Sequence, residues 1–122
     1  MNLLFVYGTL KRGYVNHHLL ERSTFVLETC TEKKFQILDM GDFPAVVKDV
    51  PVSTIDGELF NVDDSTLSDI DAFEGEWFSR EEVVLQDSSI AWMYFLSEYV
   101  SHEGCPSITS GTWQKDKGDN YE

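Results

Sequence analysis

The sequence predicts an α+β domain, a small mixed, barrel-like β-sheet flanked by short helices. Three observations lead there. Short apolar or alternating runs recur between turn residues, at 3–7, 25–30, 35–40, 45–47, 55–62, 81–85 and 90–96. Only two stretches read as helix, and no strand–helix–strand alternation persists long enough for a doubly wound sheet. The 122 residues are 42% apolar and include 8 Phe, 5 Tyr and 3 Trp, enough to build one core without a metal or disulfide staple.

Each element has a local reason. Residues 3–7 form a continuous apolar run closed by Gly8, which reads as a buried strand. Asn16 is placed to cap a short helix running to Arg22, with Leu19 and Leu20 inward. Gly41-Asp42-Phe43-Pro44 is a turn between two short strands, and Pro51 confines any strand there to an edge. In 55–62 a single Gly57 interrupts an alternating strand, as it would where another backbone comes close. Asp63-Asp64-Ser65 opens a helix running to about Phe73, with acids where the helix dipole favours them, and Gly75 stops it. Strands at 81–85 and 90–96 are joined by Gln86-Asp87-Ser88-Ser89. A short strand is expected near Gly111-Thr112-Trp113, and a polar tail from about 115. The whole chain, 1–122, reads as one domain.

Charge and composition narrow the function classes. Acidic residues outnumber basic ones 22 to 9, a formal charge of −13. Such a surface repels phosphate backbones and anionic membranes, so neither nucleic acid nor membrane is an expected partner. An anionic substrate would need local donors inside a pocket. Cys30 and Cys105 form no C-x-x-C pair, and with His17, His18 and His102 they complete no zinc pattern. No zinc site is expected from them. The cysteines read as free buried thiols and the histidines as surface residues. No signal peptide or membrane span is visible, and a cytoplasmic location is the default.

Glu74 stands out. On a helix, positions i, i+3 and i+7 share a face, which puts Glu74 behind Leu67 and Ile70. Asp71 flanks that face and is expected to bond nearby backbone or order the following loop. A carboxylate set there loses water, has an acidic neighbour and sits at the negative end of the helix dipole. All three raise its pKa toward the range a proton shuttle needs. If the helix frays at Phe73 instead, Glu74 points to water. The second feature is the turn Tyr7-Gly8-Thr9-Leu10. A Gly just after a buried strand lets successive N–H groups converge on an anion, though the turn matches neither a P-loop nor a dinucleotide fingerprint.

Together these features resemble a known family. Leu3-Leu4-Phe5-Val6-Tyr7-Gly8-Thr9-Leu10-Lys11-Arg12-Gly13 is similar to the N-terminal signature of the γ-glutamylcyclotransferase-like family, in its γ-glutamylamine cyclotransferase and AIG2-like branch. Gly57-Glu58-Leu59-Phe60, Ile70-Asp71-Ala72-Phe73-Glu74-Gly75 with Arg80, and Trp92-Met93-Tyr94 resemble further blocks of it, in order, over roughly residues 2–95. Phe78 and Ser79 depart from the pattern, standing where relatives often carry tyrosines.

The resemblance implies a cofactor-free acyltransferase or lyase that cyclises a small γ-glutamyl amide to 5-oxoproline and releases an amine. Glu74 would be its acid–base residue. Tyr7, Gly8, Thr9 and Leu10 would line the substrate pocket, with Arg80 and Tyr94 also expected to bind substrate. Arg80 has a second reading, as a structural ion pair. The alternative function is a non-catalytic module that binds an amino-acid-like ligand in the same cavity. The identity of the amine and the oligomeric state stay open.

Overall fold

The computed structural model describes residues 2–114. Seven strands occur among them, β1 (Asn2–Val6), β2 (Thr24–Cys30), β3 (Gln36–Asp39), β4 (Pro44–Val47), β5 (Asp56–Val62), β6 (Phe78–Val84) and β7 (Ile90–Leu96), with one α-helix, α1 (Asp64–Glu74). Five strands form one mixed sheet in the order β2-β5-β1-β7-β6, and β3 and β4 form a separate hairpin. The first strand lies at the centre, antiparallel to β5 and parallel to β7.

The sheet curls until its two edges meet. Thr31, just past β2, bridges Leu85, just past β6. The Gln86 N–H donates to the Cys30 carbonyl at 2.9 Å, and the Cys30 thiol donates to Gln86 Oε1 at 2.9 Å. Thr31 is fully buried, and its hydroxyl oxygen accepts the Ile55 N–H at 3.0 Å. This seam gives the sheet its barrel-like form.

The period-2 pattern of the strands separates two cores. Phe5 and Tyr7 of the first segment, Leu59 of β5, and Met93 and Phe95 of β7 point to the concave side, where Ile37 and Val46 of the hairpin cover them. Leu4, Val6, Phe60, Val62 and Tyr94 point to the other side and pack on Leu67 and Ile70 of α1 and on Leu20. Strands buried on both faces explain why residues 3–7 are apolar without alternation. Gly57 lies where the chain predicts close approach: a Cβ there would sit 2.3 Å from the Val6 carbonyl oxygen and 2.7 Å from Phe5 Cζ.

Helix α1 begins as its acids suggest. The Asp63 carboxylate accepts the Thr66 N–H at 2.7 Å, and Asn2 donates to Asp64 at 2.9 Å. It ends at Gly75, whose φ of 68° turns the chain and whose N–H donates to the Asp71 carbonyl. The expected strand at 81–85 starts earlier, at Phe78, because the 3-10 turn Gly75–Trp77 returns the chain to the sheet within three residues.

Other expectations need correction. The stretch 16–22 is a 3-10 helix, His17–Leu20, and Asn16 makes no cap; its side chain donates to Thr9 Oγ1 at 2.9 Å instead. His17, expected at the surface, is half-buried: its Nδ1–H donates to the Leu10 carbonyl at 2.9 Å and its ring packs on Phe60. Residues 111–113 form no strand; Trp113 is drawn into the concave core and Gly111 takes a φ of 83° against the Thr54 backbone. Cys30 and Cys105 are free as expected, but half-buried. The polar tail from about 115 lies outside the described residues. No described helix is long and apolar enough to cross a membrane.

Candidate active site

A cavity of about 310 Å³ opens where the first strand ends, where the hairpin turn 40–43 folds over, and where α1 stops. Its volume suits a small metabolite. Tyr7, Gly8, Thr9, Leu10, Glu74 and Tyr94 all line it. The structure thus brings together five residues of the first-strand and helix blocks with Tyr94 of β7.

The loop is shaped by what its carbonyls and side chains do. The Lys11 N–H donates to Gly8 O at 3.1 Å, and the Asn16 N–H to Thr9 O at 3.0 Å. These bonds tie residues 8–16 into a compact turn. The N–H groups of Gly8, Thr9 and Leu10 donate to no protein acceptor among the described residues. Three consecutive unspent amides beside a cavity are a site for an anion or a developing oxyanion. Gly8 is required by packing: a Cβ would come within 2.8 Å of Pro44 Cγ. The glycine lets the hairpin close over the loop.

Glu74, the last residue of α1, is half-buried in the cavity wall. No group among the described residues hydrogen-bonds its carboxylate. Burial first, and the neighbouring Asp71 charge second, push its pKa from the ordinary 4.5 up to about 7. A carboxyl that titrates there can both accept and return a proton near neutrality. The expected helical face, Leu67 and Ile70 buried with Glu74 beyond them, is the observed one.

Asp71 takes a different partner from the one the sequence suggests, and Arg80 supplies it. Asp71 does not bond nearby backbone through its side chain. It receives Arg80 Nε at 2.8 Å and Nη2 at 2.9 Å, a bidentate pair, and the Tyr94 O–H at 2.6 Å. The Arg80 bonds, seconded by Tyr94, hold its carboxyl below the ordinary range and outweigh its partial burial. Arg80 also lies over the Trp92 ring, 4.3 Å from its centroid, and is not part of the cavity lining. Of its two readings, the structural ion pair is the one the coordinates hold.

The phenols are similarly committed. Tyr7 O–H donates to the Tyr94 carbonyl at 2.8 Å, and burial, with Glu74 nearby, pushes its pKa far above the ordinary tyrosine value. Tyr94 is also raised, by burial and then by Asp71. Both stay neutral, as walls of the cavity.

Several lining residues are not signalled in the sequence. Val15, Asp42, Phe43, Pro44, Phe73 and Phe78 complete the cavity. Phe43 reaches it from the hairpin turn, with edge contacts to Trp77 and Phe78. The one available hint was a large apolar residue inside the turn Gly41-Asp42-Phe43-Pro44, where solvent-facing turns are polar. Among the described residues, no cluster of His, Cys, Asp and Glu is arranged to hold a metal.

The profile of the family described as γ-glutamyl cyclotransferase, AIG2-like, matches residues 4–115. A protein of Methanocaldococcus jannaschii provisionally named a γ-glutamylcyclotransferase is 36% identical over 105 residues, covering 80% of this chain and 87% of its own. One of Vibrio cholerae, provisionally named alike, is 31% identical over 113 residues, covering 92% and 95%. The crystal structure of a mouse AIG2-like protein superposes with a TM-score of 0.84 at 25% identity, covering 98% of this chain and 92% of that one. The profile match, the relatives' identity over most of the chain and the shared fold agree, and the chain belongs to the γ-glutamyl cyclotransferase, AIG2-like family.

Proposed function

We propose that this protein cyclises γ-glutamyl amides of amines to 5-oxoproline, with Glu74 as the proton shuttle. The substrate carries its own nucleophile, so the protein's first task is to fold it into an attack geometry. Glu74, ionised, takes a proton from the substrate's α-ammonium. The freed amine attacks the γ-carbonyl carbon, forming the ring C–N bond. The exocyclic C–N bond then breaks as Glu74 returns its proton to the departing amine, and the surplus proton on the ring nitrogen passes to that amine, which leaves as an ammonium. Atoms and charge balance: one γ-glutamyl amide gives 5-oxoproline and one amine in its ammonium form. The amides of Gly8, Thr9 and Leu10 hold the substrate carboxylate or the carbonyl oxygen as it gains charge.

The observation that carries this reading is Glu74: a half-buried carboxyl without a hydrogen-bond partner, titrating at about 7, in the same cavity as three unspent amides. No hydroxyl or thiol nucleophile is needed.

The test is incubation with γ-glutamyl-ε-lysine and other γ-glutamyl amines, followed by detection of 5-oxoproline. Free glutamate instead would mean hydrolysis. Intact amide with measurable binding would mean a binding module.

A further inference from the structure

The loop at 8–10 is one-sided in its hydrogen bonding. Its carbonyls are all spent. Gly8 O accepts the Lys11 N–H at 3.1 Å, Thr9 O the Asn16 N–H at 3.0 Å, and Leu10 O the His17 Nδ1–H at 2.9 Å. Its three amides donate to no protein acceptor among the described residues. The segment 11–17 takes up the loop's acceptors from behind and leaves its donors to the cavity.

The Thr9 side chain carries the same bias. A hydroxyl has two lone pairs and one hydrogen. Asn16 Nδ2 donates to Thr9 Oγ1 at 2.9 Å and occupies one lone pair, while the O–H itself donates to no acceptor among the described residues. An N–H aimed at the oxygen turns the hydroxyl's own hydrogen away from that N–H, and Thr9 and Asn16 both line the cavity. A freely rotating hydroxyl must reorient as charge develops, whereas one held by a neighbour is ready beforehand. Asn16 forgoes a cap to make this bond: it precedes the 3-10 helix His17–Leu20 and makes no side-chain hydrogen bond to it. Its backbone is fixed on both sides, the N–H by Thr9 O and the carbonyl by the Leu19 N–H at 3.1 Å.

We propose that Asn16 is a positioning residue: its side-chain amide holds the Thr9 hydroxyl with its hydrogen toward the cavity, as a fourth donor beside the amides of Gly8, Thr9 and Leu10. This rests on the γ-glutamyl reading above and adds to it the residue that aims a donor at the substrate's anionic oxygen.

A double-substitution cycle on kcat/KM tests it, with γ-glutamyl-ε-lysine as substrate and 5-oxoproline release as the readout. Thr9→Val removes the hydroxyl at nearly constant shape and should cost about tenfold or more, the scale of a hydrogen bond to a charged group. Asn16→Ala frees the hydroxyl but keeps the backbone bond between the two residues, and should cost about fivefold. Added to Thr9→Val, Asn16→Ala should cost less than about twofold, because no hydroxyl is left to aim. Thr9→Ser restores the hydroxyl and should restore the dependence on Asn16 with it. Additive losses mean that Asn16 braces the loop or touches substrate directly, and they overturn the proposal. So does an Asn16→Ala protein with unchanged turnover, or a Thr9→Ser protein indifferent to Asn16. If the wild type releases no 5-oxoproline, the cyclisation reading fails by itself. Calorimetric titration of the same proteins with γ-glutamyl-ε-lysine then decides the matter: a non-additive loss of affinity upholds the positioning role, and additive losses or undetectable binding overturn it.

Discussion

Two carboxylates three residues apart on one helix meet opposite fates. Asp71 faces β6 and β7 and is satisfied three times over, twice by Arg80 and once by Tyr94. Glu74 faces the cavity and is satisfied by nothing in the described chain. The first is held ionised, below the ordinary 3.8; the second is held near 7. Residue type and element are nearly the same, so the difference comes from burial and partners. An acid built for structure is compensated, and an acid left uncompensated beside a cavity is available to chemistry.

The largest break in that comparison is Glu74→Gln. It keeps the shape and removes the titration, and it should cost at least about a hundredfold in kcat, the usual scale of general acid–base catalysis. Normal turnover of this variant, measured by 5-oxoproline release, would remove Glu74 from the mechanism. In the wild type, kcat/KM should rise through pH 7 as Glu74 ionises, and the variant should lack that limb.

The next effect is on stability, and the two acids have opposite signs. Glu74 has a raised folded pKa, so between pH 4.5 and about 7 the unfolded chain has lost the proton that the folded chain keeps. Stability therefore falls as pH rises through that window, by about 3 kcal/mol in all. Glu74→Gln should flatten this slope in urea titrations and be the more stable protein above pH 7. Asp71 has a lowered folded pKa, so its contribution is present above 3.8 and lost as pH falls below it.

Asp71→Asn sharpens the contrast at smaller scale. It should cost about 1 kcal/mol, since the Asp71 and Arg80 side chains are 38% and 24% exposed and water screens the pair. It also removes the second cause of the Glu74 shift, so the pH–rate limb should move to lower pH. An unmoved limb would mean that burial alone sets Glu74. Tyr94→Phe should do least, roughly 0.5–1 kcal/mol by denaturant melts. Asp71 keeps Arg80 in that variant, and the Tyr94 carbonyl still receives Tyr7.

The same two acids show how far the sequence can be read. The 3.6-residue period places Glu74 beyond Leu67 and Ile70 without any knowledge of the sheet, because a helix face is a local property. What Asp71 does depends on β6 and β7, which fold back from residues 78–96, and no spacing rule announces that Arg80 will lie over Trp92 and reach it. The strand at 90–96 is legible to the residue, being apolar on both faces. The start of β6 is not: its first three residues, Phe78-Ser79-Arg80, carry no strand signal until their pairing with β7 is known, and the sequence begins the strand at Glu81. The cavity divides likewise. The Tyr7–Leu10 wall follows from one glycine after one strand, while Phe43 and Pro44 come from a hairpin whose docking is set by long-range packing.

The central position of β1 has a consequence for assembly. Its antiparallel neighbour, β5, is synthesised some fifty residues later, and its parallel neighbour, β7, later still. Both partnerships are non-local, the slow kind to form. The strand that leaves the ribosome first must therefore wait for nearly all the rest, its apolar residues Leu3 to Val6 uncovered meanwhile. A chain halted before Ile90 would present that uncovered edge to other chains, making the molecule's hidden middle its point of greatest exposure during biogenesis.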